Sequence, residues 1–189
     1  MKKVLFIAAS IAIVAPQAFA QAKNFEGFSL GVNAESTTST ATTLGTGSDS
    51  ATGGSLALQG QYLWPVNQQF LLGLGASYSP TSVNTGAVNG INFSSKNRTS
   101  VDLIPGYAIT PSAMVYGKLS ALSGTAAALN ATGTESTANL SGIGYGVGMR
   151  YLIDKNLFVQ GDVSSNRYND VGNNGLSSTA LAIGVGYKF

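Results

Sequence analysis

Leu181-Ala182-Ile183-Gly184-Val185-Gly186-Tyr187-Lys188-Phe189 puts a bulky residue at every odd position and a small or charged one at every even position. Successive side chains of a β-strand point to opposite faces, so a strict period of two describes a strand with one apolar face. The stretch ends on an aromatic ring, where a soluble domain commonly frays.

The same period recurs seven more times. Phe28, Leu30 and Val32 form the first stripe; Leu56, Leu58, Tyr62 and Trp64 the second, with Gly60 as a gap; Phe70, Leu72, Leu74, Ala76 and Tyr78 the third. Val101, Leu103, Tyr107 and Ile109 follow, then Val115, Leu119 and Ala121, then Ile143, Tyr145, Val147, Met149 and Tyr151, then Leu157, Val159 and Val163. The opposite faces are small or polar, as in a barrel wall set between lipid and a polar interior. A soluble sandwich also alternates, but its inner faces must fill a core.

The connections alternate in length. Long segments follow the first, third, fifth and seventh stripes (35–54, 80–97, 123–139 and 169–177); only PVNQ (65–68), TPS (110–112) and DKN (154–156) follow the others. Short turns on one side and long loops on the other are the habit of outer-membrane barrels. The expected fold is all-β: an eight-stranded antiparallel up-and-down transmembrane β-barrel over residues 21–189, with both ends on the short-turn side. Tyr62, Trp64, Phe70, Tyr107, Tyr151, Tyr187 and Phe189 collect there, as a ring of interfacial aromatics would. Pro105 interrupts the fourth stripe, where its missing N–H predicts a bulge.

Residues 1–20 are read apart from the barrel. Lys2 and Lys3 precede an apolar run from Val4 to Ala15, and Ala18-Phe19-Ala20 has the small-x-small form of a cleavage site, so a secretory signal peptide is expected. Its removal takes the 10 basic residues to 8, against 8 acidic ones, a net charge of zero that argues against nucleic-acid binding. Charged residues are 10 % of the chain, cysteine and histidine are absent, and glycine contributes 24 residues. No cofactor motif or set of metal ligands stands out. Without histidine, a general base would have to be a tuned carboxylate or lysine. Glu35, Asp49, Glu135 and Asp170 are expected in external Ser/Thr/Gly loops, so no enzyme is expected.

By parity Arg98, Asp102, Lys118, Arg150, Asp162 and Lys188 point into the lumen, and Glu26 is the one charged exception. A cation facing lipid at mid-depth costs ~2–4 kcal/mol, which favours the inward placement. Asp102 with Lys118, and Arg150 with Asp162, are the expected pairs. Gly142, Gly144, Gly146 and Gly148 of GIGYGVG are spaced by two, which clears one strand face; a phosphate loop spaces its glycines unevenly.

The whole pattern resembles the small eight-stranded outer-membrane barrels of the OmpA-barrel and OmpX-like kind. The resemblance implies that Leu181, Ile183, Val185, Tyr187 and Phe189 form the C-terminal signature read by the barrel-assembly machinery. It further implies periplasmic chaperones and outer-membrane lipid as partners, a monomer, the outer membrane of a Gram-negative bacterium as the location, and no second, peptidoglycan-binding domain. Two functions fit: a structural or surface-interaction barrel plugged by polar and charged side chains, or a narrow porin-like channel for ions or small solutes.

Overall fold

The computed structural model describes residues 21–43, 47–88, 91–129, 135–169 and 174–189. The expected signal peptide and Asp170 lie outside the described residues. A 3-10 turn, Ala22–Phe25, leads into β1 (Gly27–Thr43), β2 (Gly47–Pro65), β3 (Phe70–Ser79), β4 (Val83–Val88), β5 (Ile91–Ala108), β6 (Ala113–Leu129), β7 (Glu135–Leu152), β8 (Leu157–Tyr168) and β9 (Asn174–Lys188). β3 and β4 are two lengths of one stave. Both pair with β5, and between them lies Pro80, which has no N–H to continue the ladder. Each stave is antiparallel to its neighbours, and β1 pairs with β9 from Ser29–Lys188 to Thr43–Asn174, closing eight staves. Closure leaves the membrane-level wall without a free edge.

The register fixes the barrel's slant. Arg167 on β8 stands beside Ile143, and the row continues through Ala121, Val101, Ala76, Gly60, Leu30 and Tyr187. It returns to β8 at Leu157, ten residues from its start. With eight staves and usual strand spacings, that stagger gives a tilt of about 40° and a radius of about 8 Å. Such a barrel is just wide enough for side chains to fill.

Every bulky residue of the outward stripes faces away from the lumen, with Ile143 and Val147 at 69 % exposure and Asp102 at 2 % on the opposite face. The aromatics pack in pairs at the short-turn end: Tyr62 with Trp64 (centroids 4.7 Å apart), Phe70 with Tyr107 (5.0 Å) and Tyr187 with Phe189 (5.1 Å). Phe189 also donates its N–H to the Phe28 carbonyl (2.9 Å), fastening the last residue to β1. Gly27 makes this possible: its φ of +116° suits glycine, and a Cβ there would approach the Phe189 oxygen to 3.1 Å.

Four expectations are corrected. The long connections are mostly strand. β1 and β2 stay paired to Thr43 and Gly47, where Ser/Thr hydroxyls bond across the hairpin (Thr38–Thr52 and Thr40–Ser50, each 2.9 Å). The wall therefore continues beyond its apolar band, and Glu35 lies within β1 and Asp49 within β2. Pro105 makes no bulge. Its partner Leu72 is in register, and the β6 pairing lapses at 104 and 105 without shifting, because Gly117 opposite leaves room for the ring. The bulge falls between Lys96 and Thr99, where Asn97 takes φ 49°, and it lets both Ser95 and Arg98 face inward. Glu26 precedes β1 as the residue closing the 3-10 turn. Arg167, exposed near the far end of β8, is a charged strand residue that faces outward.

The short turns are built by side-chain caps. Asp154 accepts the N–H groups of Leu157 and Asn156 (2.7 Å each), and those two bonds hold its carboxyl below the usual carboxylate range. Asn67 does the same for Gln69 and Phe70.

Candidate functional site

The lumen is filled in layers. At the short-turn end the layer is apolar: Phe25, Leu63, Leu71, Ile104, Met114 and Phe158 are buried together, with Ala22, Ala108, Tyr116 and Leu152 around them. The 3-10 turn carries Phe25 into this mouth, anchored by the Ala22 N–H on the Gln68 carbonyl (3.0 Å) and by Asn24 Nδ2 on Pro111 O (3.0 Å). Sequence parity marked this inner face as small or polar. The contrary signal was present in Tyr62-Leu63-Trp64, Tyr151-Leu152 and Leu157-Phe158, where both faces of the strand are apolar.

Above it lies an amide layer. Arg150, 3 % exposed, stacks its guanidinium 4.0 Å over the Phe158 ring and donates to Gln160 Oε1 (2.6 Å). The Gln160 amide donates to Gln59 Oε1 (2.6 Å) and Asn33 Oδ1 (3.1 Å), and Asn33 Nδ2 donates to Gln59 Oε1 (2.8 Å). Gln61 turns its amide oxygen to the same guanidinium. The chain of bonds thus runs from β7 and β8 across the lumen to β1 and β2.

The next layer holds an ion pair. Lys118 Nζ lies 2.7 Å from Asp162 Oδ1, and the Tyr116 hydroxyl donates to Asp162 Oδ2 (3.3 Å). Lys118 and Tyr116 are on β6 and Asp162 is on β8, so both side chains must cross β7. The glycines of GIGYGVG supply the passage: Lys118 pairs with Gly146, and Gly148 sits between Tyr116 and Asp162. On β9, Gly186 makes the same allowance for the Phe158 ring.

Nearer the long hairpins, Ser77 donates to Ser100 (2.8 Å) and Ser100 to Asp102 Oδ2 (3.0 Å). Arg98 Nη2 donates to Ser55 (2.6 Å) and Ser79 (3.2 Å) and lies 3.4 Å from Glu35 Oε2, which also accepts from Ser55 (3.1 Å). A cavity of about 70 Å³ remains among Glu35, Arg98, Lys118, Ser164 and Tyr168.

The expected pairs are therefore exchanged. Asp162 goes to Lys118 instead of Arg150, Arg150 takes amides and a ring, Asp102 takes Ser100, and Arg98 takes Glu35. Parity assigned the face correctly but not the partner, because glycines let a side chain pass its neighbouring strand. Lys188 stays at the short-turn rim, where Nζ donates to the Glu26 carbonyl (3.3 Å). Leu181, Ile183, Val185, Tyr187 and Phe189 line the outer face of β9, 48–67 % exposed. Among the described residues, no group of three or more His, Cys, Asp or Glu could hold a metal ion.

Solved structures share this architecture. Neisserial surface protein A superposes with a TM-score of 0.59 at 21 % identity, covering 87 % of this chain and 100 % of its own. Ail, the attachment invasion locus protein of Yersinia pestis, superposes with 0.57 at 19 % identity, covering 87 % and 99 %. Comparison with curated protein sequences finds no match. The sequence itself matches the outer membrane protein beta-barrel domain family over residues 5–189, nearly its full length. Closed staves, an apolar outer band and that match agree: the chain belongs to the outer-membrane β-barrel family.

Proposed function

We propose that this protein is a plugged outer-membrane barrel whose role is structural or is carried out by its external surface. The observation that carries the proposal is the bond chain Arg150–Gln160–Gln59, which spans the lumen directly above the apolar layer around Phe25 and Phe158. An ion entering from the long-hairpin side meets the Lys118–Asp162 pair, then these amides, then a dry cluster. Buried charges separated from their partners are costly, so each layer resists opening.

The surface role fits the projecting hairpins, whose Ser/Thr ladders continue the wall past the apolar band. Ail is named for attachment; a comparable surface-contact role is proposed here. The described carboxylates of the lumen are engaged with Lys118, Arg98 or serines, and the sequence has no histidine, which supports a non-enzymatic reading. We assign residues 1–20 to a cleaved signal peptide, so that N-terminal sequencing of the mature protein should begin at Gln21. The remaining partners proposed are periplasmic chaperones and the assembly machinery during export, and outer-membrane lipid afterwards, around a monomer.

Planar-bilayer recording tests the plug. Purified protein should give no reproducible unitary conductance. Stable openings that change with Lys118→Met or Arg150→Met would replace the plug with the narrow-channel reading.

A further inference from the structure

We propose that Arg167 and the apolar trough beneath it bind one phosphate-bearing lipid of the outer leaflet. The inference rests on the membrane reading above and adds a defined lipid site to it. Arg167 lies on the outer face of β8, next to Ile143 on β7 and Ser177 on β9. It is exposed, and among the described residues it has no hydrogen-bond or ion-pair partner. Its described outward neighbours are Ile143, Tyr145, Ser165, Ser177 and Thr179; none is a carboxylate.

Depth decides what Arg167 can meet. At an axial rise of roughly 2.5 Å per residue for this tilt, Arg167 stands about 8 Å outside the Tyr145 ring and about 3 Å outside Ile143, the outermost apolar residue of that stripe. A cation is tolerated at that interfacial level and not in the hydrocarbon. The anion available at the interface is a lipid phosphate, which guanidinium binds through paired hydrogen bonds. Ser177 and Thr179 supply hydroxyl donors beside it.

Below Arg167 the wall is hollowed. Val147, Val163 and Ile183 flank a trough whose floor is Gly161 and Gly117, outward positions with no side chain. Gly117, two staves across on β6 and four residues down from Ala121, lies almost directly beneath Arg167, about 16 Å along the axis or half of a ~30 Å hydrocarbon core, while Gly161 floors the same trough about 13 Å to the side. That is the depth reached by an acyl chain of one leaflet. Headgroup charge and chain groove are thus stacked on one line of the wall.

The test is native mass spectrometry of the refolded full chain in mild detergent, titrated with lipid A and with chemically dephosphorylated lipid A. Folding of each variant is checked by heat-modifiable gel mobility. The wild type should hold one lipid A, at least tenfold tighter than the dephosphorylated form. Arg167→Gln should remove that preference, and Arg167→Lys should keep part of it. Gly161→Leu, which fills the trough, should weaken both lipids at least fivefold; its Cβ meets nothing closer than the Ala182 carbonyl oxygen at 3.5 Å. Equal binding of the two lipids to wild type, or unchanged preference in Arg167→Gln, overturns the site. Displacement of lipid A by millimolar inorganic phosphate overturns the lipid as occupant and leaves a free-anion site. Protein that folds in detergent-free buffer would instead refute the membrane reading itself.

Discussion

The Tyr116 ring occupies the space that a side chain at residue 148 would need: a Cβ on Gly148 would lie 2.5 Å from Tyr116 Cζ and 2.7 Å from Asp162 Cβ. Gly148→Val should therefore destabilise the barrel by about 1–3 kcal/mol, the usual cost of overpacking. Gly161→Ala, on the open outer face, should be nearly neutral. Urea unfolding in lipid vesicles compares the two, and equal stabilities would remove Gly148 as the passage.

Lys118 and Asp162 form a pair in which Asp162 is buried and Lys118 is partly open to the lumen. Lys118→Met leaves a buried carboxylate with only the Tyr116 hydroxyl. The expected loss is about 2 kcal/mol, below the 3–5 kcal/mol of a fully enclosed pair. Lys118→Met with Asp162→Asn should recover most of it. A double mutant no more stable than the single one would show that the pair is not coupled.

Deleting Phe189 removes the ring set 5.9 Å from Phe28 and 5.1 Å from Tyr187, and one N–H bond to β1. The ring is two-thirds exposed, so the loss in the finished barrel should be well under the ~1.5–3 kcal/mol of a fully buried one. If the outer stripe of β9 is the assembly signal, insertion in cells should fall sharply while refolding in detergent stays near normal. Equal defects in both settings would reduce Phe189 to a packing residue.

The absence of cysteine makes any introduced thiol a unique reporter of sidedness. In intact cells, Thr38→Cys on the projecting hairpin should react with a membrane-impermeant maleimide. Lys155→Cys in a short turn should react only after the outer membrane is opened. The reverse pattern would invert the barrel.

Asp154 carries a pH dependence of known sign. Its carboxyl is depressed in the folded state, so its contribution is present above the ordinary value of 3.8 and is lost as pH falls through the lower folded value. Protection of the Leu157 amide against hydrogen exchange, taken relative to its intrinsic rate at each pH, should fall at acid pH in the wild type. Asp154→Asn, which keeps an acceptor, should abolish the pH dependence of that protection.

The period of two carried most of this fold in plain view. It assigned outward residues on every stave, found the short turns and put Asp102, Lys118, Arg150 and Asp162 on the inner face. What it could not carry was height and reach. Which inward residues meet depends on a ten-residue stagger and on gaps at Gly146 and Gly148, and neither is a property of one strand. The composition of the Ser/Thr tracts suits solvent and so suggests loops; the hydroxyl ladders show that small hydroxyl residues serve paired strands equally well. Arg167 lay in an odd position of the seventh stripe, where parity alone would have placed it outward.

The seam between β1 and β9 has a kinetic consequence. Every other pairing joins staves that follow one another in the chain, whereas this one waits for residues from its two extremes. High contact order makes such folding slow. Until the seam closes, β1 and β9 each present an unsatisfied edge, and an open edge recruits other chains. The danger is greatest in transit between membranes, where no lipid covers the outer stripes. A variant that weakens the seam, such as Gly27→Val, should therefore show its defect as aggregation before insertion, while molecules that do insert remain long-lived.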